Sequence, residues 1–527
     1  MFIVFFLLNS AFSIVGKSLT YDEPYHYKYG VSILDGNSDR FDDSKMPFSA
    51  WNALPAKIAS FLPEGNLKIN LEKMVTARLM TTLFSTLIVF FVFYWSRELY
   101  GVLPAYISAS LFVFDPNIIA HSQLVTTDAY AMGTILLSGF FLWEFSRKLN
   151  WSSGLSFSLA LGFAQLAKYT SISLYPLFLI IFCVSNALRL KKEDYFQNKF
   201  QFWSRQIPRY LKYFIITMCI SVLIINIGFL FNRSLVNIKE YNFKSHLFSL
   251  VQEKITFLFP VPYPYLEGLA WIVAKESTDL IFIHIYLLGD TRFGQGFPGY
   301  YFIASALKVP IATQIMIFAA LFAYLADKQR RVSFFQNEWF LLVPAVFYAT
   351  YFNFFYKSQM GIRYYLVIFP LLYVFVGVLF INWKKFSRAQ ITITVSLLLF
   401  LIVSVLSKYP NYLSYFNELI KPQEAYKYLA DSNLEWGQDT YLLEDYKANH
   451  EAALRAPETP EIITETKIYY VSINRLVGVI DGPENYRWLR EYFEPVEMIG
   501  NSYFVYRITP EEMHHFCSTT SFCASSE

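Results

Sequence analysis

Tyr21-Asp22-Glu23-Pro24-Tyr25-His26-Tyr27 sets two adjacent carboxylates among aromatic rings, with His26 three residues beyond Glu23. A carboxylate held beside a phosphate can take the proton from an incoming hydroxyl. An Asp-Glu pair in a polar loop is ordinarily just solvated. This one stands a few residues beyond an apolar stretch at 1–16, at a membrane surface. Cations suited to a phosphate lie at similar places. Arg78, Lys168, Lys308 and Arg363 fall at or near the ends of apolar stretches, and Arg292 lies in the loop Gly289–Gly299 just before one. Charged groups at membrane depth are costly and tend to mark function. Any one of these bases is as readily explained by snorkelling toward headgroups. As a set at one depth they describe a positive pocket for a phosphate. Asp128 opens another apolar stretch and reads either as a partner of these cations or as a helix N-cap at Thr127-Asp128.

The elements that must position these residues follow from composition. Of 527 residues, 55% are hydrophobic, 19% aromatic and only 16% charged, with mean hydropathy +0.33. Soluble chains carry about 25% charged residues, so this is an integral membrane protein. Lys+Arg 44 against Asp+Glu 41 leaves +3, a balance that argues against a nucleic-acid partner. Eleven apolar stretches are long enough, or nearly so, to cross a bilayer: 1–16, 75–95, 102–119, 129–145, 152–167, 170–188, 213–231, 301–325, 338–355, 364–382 and 390–406. The first lacks a basic leader and a small-x-small cleavage site, and reads as a retained helix rather than a signal peptide.

Basic residues orient the spans. Arg97, Arg147 with Lys148, the run Arg189 to Lys212, Lys328 with Arg330 and Arg331, and Lys384 with Lys385 and Arg388 all follow even-numbered stretches. They lie on one side, the cytoplasmic one. Segments 17–74, 232–300 and 407–527 then share the opposite face with Asp22 and the basic set. The expected architecture is an all-α polytopic membrane domain over 1–406 with outer loops 17–74 and 232–300. A small extracytoplasmic α/β domain over 407–527 completes it.

Within that tail, 421–450 reads as helical with an irregular stretch at Asp431-Ser432-Asn433. Residues 451–466 read as a loop, 467–473 and 502–508 as strands, and 483–493 as a helix. Residues 240–258 suit a helix lying in the interface. Cys183 and Cys219 are expected as buried free thiols, while an oxidising compartment allows Cys517 and Cys523 to pair. Trp51, Trp95, Trp143, Trp271 and Trp339 read as interfacial belt residues. Trp436 reads either as a sugar platform or as packing between the tail and the membrane part. Asn232-Arg233-Ser234 is a formal glycosylation sequon, meaningful only in a eukaryotic secretory compartment.

The Asp22-Glu23 pair with His26, Ala77-Arg78-Leu79-Met80, Asp115-Pro116-Asn117, His121-Ser122, Thr126-Thr127-Asp128, Leu166-Ala167-Lys168-Tyr169-Thr170 and Gly361-Ile362-Arg363-Tyr364 together resemble a known family. So do Tyr412-Leu413-Ser414-Tyr415-Phe416-Asn417-Glu418 and the run from Asp431 to Asp439. The family is the GT-C membrane glycosyltransferases, in their protein O-mannosyltransferase-like, phospholipid carrier-dependent branch of bacterial type. The resemblance spans roughly 17–440. It departs at Lys408-Tyr409-Pro410, where the family pattern has a His before the Pro, and this leaves the sugar and the acceptor open.

The resemblance implies a GT-C fold and an inverting transfer of a sugar, a hexose such as mannose, from a polyprenyl-phosphate carrier to an acceptor hydroxyl on the extracytoplasmic face. It implies Asp22 as general base, with Glu23 orienting the acceptor or sharing the proton. Arg78, Lys168 and Arg363, with Arg292 behind them, would stabilise the leaving phosphate, and Asp128 would position the first loop or a cation. His26 would bind a hydroxyl or a metal. One His beside carboxylates does not make a metal site, so no metal and no other cofactor is expected beyond the lipid-phosphate sugar co-substrate. The partners are then the bilayer, that donor and a protein, lipid or glycan acceptor. The location is a bacterial inner membrane with the site toward the periplasm, or an endoplasmic reticulum membrane with the site toward the lumen, and the bacterial pattern of the motifs favours the first. The rival reading is a transporter or flippase of a lipid-linked anion. Transporters show paired halves and broken helices near the midplane, whereas here the charges gather at one face.

Overall fold

The computed structural model describes residues 2–37, 45–193, 199–277 and 283–523, and the side chains of 189–205 are outside the description. Part of the basic run Arg189 to Lys212 therefore lies outside the described residues.

The chain is mostly helical. Helix α1 (Phe2–Ser13) leads into the first loop, which holds α2 (Glu23–Leu34), α3 (Ser49–Ala59) and α4 (Asn66–Glu72). Pro24 in the first turn of α2 suits a position whose N–H has no helical partner. Then come α5 (Met74–Tyr100), α6 (Val102–Val113), the short α7 (Pro116–His121), α8 (Asp128–Lys148) and α9 (Trp151–Gln165). The Asp115 carboxylate caps α7 by accepting from the Asn117 and Ile118 amides. Asn150 caps α9 through the Ser153 amide, so α8 and α9 turn back on each other with one residue between them in the left-handed region, Leu149. Helices α10 (Leu174–Glu193) and α11 (Lys199–Gly228) precede the second loop, which holds α12 (His246–Lys254) and α13 (Tyr263–Ser277).

A hairpin of β1 (His284–Leu287) and β2 (Asp290–Phe293) pairs antiparallel, His284 opposite Phe293. After it run α14 (Tyr300–Lys308) and α15 (Ile311–Ala326), bent by 119° where Pro310 breaks the helix. Helices α16 (Lys328–Arg331), α17 (Trp339–Phe354), α18 (Phe369–Val376) and α19 (Arg388–Leu406) complete the apolar part. Flanking 3-10 turns extend α18 into one continuous stretch from Ile362 to Phe380. A capping box of Ser387 and Gln390 starts α19.

Helix covers most of each of the eleven apolar stretches, but 102–119 is interrupted at Phe114-Asp115 and 301–325 is broken at Val309-Pro310. Five of these helices are long and apolar enough to cross a bilayer, namely Met74–Tyr100, Tyr169–Leu188, Gln206–Gly228, Ile362–Phe380 and Arg388–Leu406. The bent α14–α15 pair makes a sixth, and α1, α6 and α17 are shorter apolar helices.

The C-terminal segment contains α20 (Thr440–Asn449), β3 (Ala453–Arg455), β4 (Lys467–Ser472), α21 (Ile473–Leu476), α22 (Arg487–Tyr492), β5 (Glu497–Ile499), β6 (Tyr503–Ile508) and α23 (Pro510–Thr519). Its sheet runs β3-β4-β6-β5. The strands expected at 467–473 and 502–508 are β4 and β6, antiparallel neighbours at its centre. The three-residue edge strands β3 and β5 were not legible, nor was the β1–β2 hairpin, part of which lies where a plain loop was expected. Strands this short offer no alternation to read. One apolar core runs from Phe6 and Trp95 among the helices to Trp488 and Phe516 in this tail.

Three expectations need correcting. Trp95 and Trp143 are buried core residues packed on Phe140, not interfacial ones. Cys183 and Cys219 are free but exposed on the outer surface of the helices, not buried. Lys308 is buried and does not serve a phosphate pocket. Its ammonium donates to the Leu413 carbonyl at 3.0 Å and to the Asn433 carbonyl, tying the bent helix to the tail. Cys517 and Cys523 form a disulfide. Helix α12 lies within 240–258 and leaves Leu247, Leu250 and Val251 exposed, as an interfacial helix would.

Candidate functional site

Five separate parts of the chain converge on one cleft of about 250 Å³, lined among others by Asp22, His26, Lys45, Asp128, Lys168, Lys275, Glu276, Tyr356, Arg363 and Tyr364. Asp22 stands at the N-cap of α2, yet its side chain caps nothing there. Instead it accepts a hydrogen bond from Arg363 Nη1 at 2.8 Å, and it keeps 30% of its side chain exposed. Arg363 lies in the 3-10 turn that opens the Ile362–Phe380 stretch. Its guanidinium stacks 4.2 Å from the Trp436 ring centre and also faces Tyr364.

The second ion pair in the cleft is Lys168 with Asp128, Nζ to Oδ1 at 2.6 Å. Lys168 occupies the break between α9 and the following 3-10 turn, extended rather than helical. Its ammonium lies 3.9 Å from the Tyr364 ring centre. Burial pushes the Lys168 ammonium down, and Asp128 opposes that shift. Asp128 opens α8 without being its N-cap, which is Thr127, so its partner is the cation.

His26 sits one turn into α2, its Nδ1 3.4 Å from Ser49 Oγ. Burial pushes its imidazole down to about 4, against the opposing charge of Asp22. At neutral pH it is therefore an uncharged hydrogen-bonding ring. Among the described residues, no three His, Cys, Asp or Glu side chains gather where they could hold a metal ion.

Three of the expected site residues, Glu23, Arg78 and Arg292, do not line the cleft. Glu23 is fully buried and its oxygens are already occupied. Oε1 accepts from Arg78 Nε at 2.8 Å and from the Val125 amide at 3.0 Å. Oε2 accepts from Arg78 Nη2 at 2.5 Å and from the Thr20 amide at 2.8 Å. Arg78 in turn donates to the Ser18 carbonyl at 2.7 Å. Neither residue lines the cleft. They fasten the first loop to α5 and to the turn before α8, and Arg78 lines a separate small pocket with Lys17, Asn411 and Gln438. Arg292, on β2, also lies apart from the cleft lining. It pairs with Asp290 at 3.7 Å and stacks 4.1 Å from the Phe297 ring centre.

Lys45, Lys275, Glu276 and Tyr356 reach the cleft without any signal in the sequence. They come from irregular or amphipathic outer segments, where no spacing separates them from solvated neighbours. Glu276 accepts from the Lys357 amide at 2.7 Å and from Ser358 Oγ at 2.6 Å, fixing the loop after α17 at the rim. Trp436 is 7% exposed, with Arg363 against its face, so it offers no open platform to a sugar.

The cleft thus holds the partly exposed Asp22 carboxylate together with Asp128, Glu276 and four cations, Lys45, Lys168, Lys275 and Arg363, in a helical membrane protein. Residues 58–196 match the model of the family described as dolichyl-phosphate-mannose-protein mannosyltransferase. No curated protein sequence matches the chain. Among solved structures it is similar to ArnT from Cupriavidus metallidurans bound to undecaprenyl phosphate, at 14% identity and TM-score 0.43, covering 75% of this chain and 61% of that one. It is also similar to the Archaeoglobus fulgidus oligosaccharyltransferase in its apo form, at 14% identity and TM-score 0.49, covering 80% of this chain and 56% of that one. The chain thus spans less than two thirds of the length of either. The family-model match falls on the segment that carries Arg78, Asp128 and Lys168, and it covers about a quarter of the chain.

Proposed function

We propose that the protein is an inverting glycosyltransferase of the GT-C type, moving a sugar from a polyprenyl-phosphate carrier to an acceptor hydroxyl at the extracytoplasmic face. The observation that carries this reading is the gathering in one cleft of a partly exposed carboxylate, Asp22, with its partner, the buried Arg363, and with the partly buried Lys168. Arg363 engages Asp22 Oδ2, which leaves Oδ1 for the acceptor hydroxyl. As the acceptor oxygen bonds to the anomeric carbon, its proton passes to Asp22. The bond from that carbon to the phosphate oxygen breaks, and the electron pair leaves with the phosphate. Arg363 and Lys168 then meet charge where it develops, which is how fixed cations lower such a barrier. Neutral His26 can hold a sugar or acceptor hydroxyl near Asp22.

In this reading all eleven apolar helical stretches belong to the membrane part. The sheet-containing tail is a small extracytoplasmic domain, and the membrane is a bacterial inner membrane with the cleft toward the periplasm. The sugar is a hexose such as mannose.

Membranes holding the protein are incubated with radiolabelled polyprenyl-phosphate hexoses, and both transferred sugar and carrier movement across the bilayer are followed. Transfer to a product no longer bound to the carrier supports the enzyme. Movement of intact donor without transfer would replace it with the flippase reading.

A further inference from the structure

The segment Asp431–Asp439 touches Arg363 directly and holds the chain just before Asp22. At one end it grips the turn that carries Arg363. Asn433 Oδ1 accepts from the Ile362 amide at 2.9 Å, and Ser432 Oγ donates to the Met360 carbonyl at 2.7 Å. Gly361 between them has φ +81, and a Cβ there would stand 2.3 Å from Ser432 Oγ, so only glycine permits the approach. At the other end the segment grips the chain leading into Asp22. The Ser18 amide donates to the Gln438 carbonyl at 3.1 Å and the Tyr21 amide to the Trp436 carbonyl at 2.9 Å. Gly437, with φ +93, brings these backbones together. Between the two grips the Trp436 ring lies against the Arg363 guanidinium, 4.2 Å from ring centre to Cζ.

We infer that this segment is a strap that fixes Asp22 against Arg363, and that Trp436 is its positioning residue for glycosyl transfer. The inference rests on Asp22 being the base. A long arginine side chain samples many rotamers, and a buried aromatic face under its guanidinium removes most of them. With the indole in place, the guanidinium presents Nη1 to Asp22 and orients the carboxylate toward the acceptor. Without it, the guanidinium keeps its Nε bond to the Met360 carbonyl at 3.1 Å and the Tyr364 face but loses the stacking that aims Nη1, and the carboxylate loses its fixed direction. Trp436 makes no contact with substrate in this account. Its removal should therefore slow the chemical step and leave binding alone.

The test compares wild type, W436F, W436A, R363K and R363K/W436A in membranes at matched amounts, with whichever labelled polyprenyl-phosphate hexose the wild type uses. W436A is expected to lower kcat about tenfold or more, the scale of a desolvated cation–π contact, with KM for donor and acceptor within about twofold. W436F keeps an aromatic face and is expected to retain most of the rate. In the R363K background, W436A is expected to cost less than about twofold more, because both changes act on one interaction. The inference is overturned if W436F falls as far as W436A, if W436A raises the acceptor KM with kcat intact, or if the two losses multiply. Should W436A fail to accumulate, W436F and W436L carry the same comparison. D22N separates this inference from the reading beneath it. An inactive D22N beside a normal W436A defeats the strap alone, whereas a fully active D22N defeats the base assignment and the strap with it.

Discussion

Arg78 and Glu23 meet as a bidentate ion pair, Nε to Oε1 at 2.8 Å and Nη2 to Oε2 at 2.5 Å, with neither side chain more than 4% exposed. Next to it in sequence, Asp22 keeps 30% of its side chain exposed and lines the cleft. Two adjacent carboxylates thus have two roles, set by where α2 begins. The buried one anchors the loop and the exposed one faces the substrate space. Removing one member of a buried pair strands the other charge and costs about 3–5 kcal/mol. Glu23→Gln and Arg78→Met are each expected to lower the unfolding temperature sharply in detergent, or to prevent accumulation. The double substitution is expected to recover part of that loss. Either single variant with unchanged stability and abolished transfer would return Glu23 or Arg78 to the chemistry.

Lys168 and Asp128 give a pH test. Burial already lowers the Lys168 ammonium, and Asp128 holds it up. Asp128→Asn removes that support, so Lys168 loses its proton at lower pH. The alkaline limb of the activity profile is expected to move to lower pH in this variant. An unshifted alkaline limb would show that the charge on Lys168 is not required.

Glu435 gives a test of stability rather than activity. Burial pushes its carboxyl up to about 7, although it accepts from the Asn474 amide at 2.9 Å. Its folded value lies above its unfolded one, so folding favours the protonated form. That contribution is fully present below about 4.5 and is lost as pH rises through about 7. Between those limits the protein is expected to lose up to ~3 kcal/mol of stability. Thermal unfolding at pH 5 and pH 8 measures this, and Glu435→Gln is expected to flatten the difference. A slope that survives in the variant would place the titrating group elsewhere.

The helices were legible because each apolar stretch repeats one property over many residues, and packing cannot hide it. Asp128, Lys168 and Arg363 were legible as charges placed where charge is costly, and Asp22 by its place among aromatics at the membrane surface and by the motif resemblance. Arg78 and Lys308 satisfied the same rule and proved to be internal fasteners, since burial alone does not say whether a cation faces a carboxylate, a carbonyl or an open cleft. Arg292 stood in a glycine-rich loop and instead belongs to a hairpin turned away from the cleft lining. The role of Trp436 was not readable, because its contact with Arg363 joins residues 73 positions apart. Lys45, in an irregular loop, and Lys275, near the end of α13, reach the cleft only through tertiary folding.

The most direct test of the whole account is sugar transfer by wild type and Asp22→Asn at matched amounts in membranes, with the donor the wild type uses. The change keeps the size of the side chain and removes the base. The account predicts a loss of about a hundredfold or more, the scale of a missing general base, with the protein still folded. Equal transfer by the two would contradict it, and would move the search for the base to the other carboxylates of the cleft, Asp128 first.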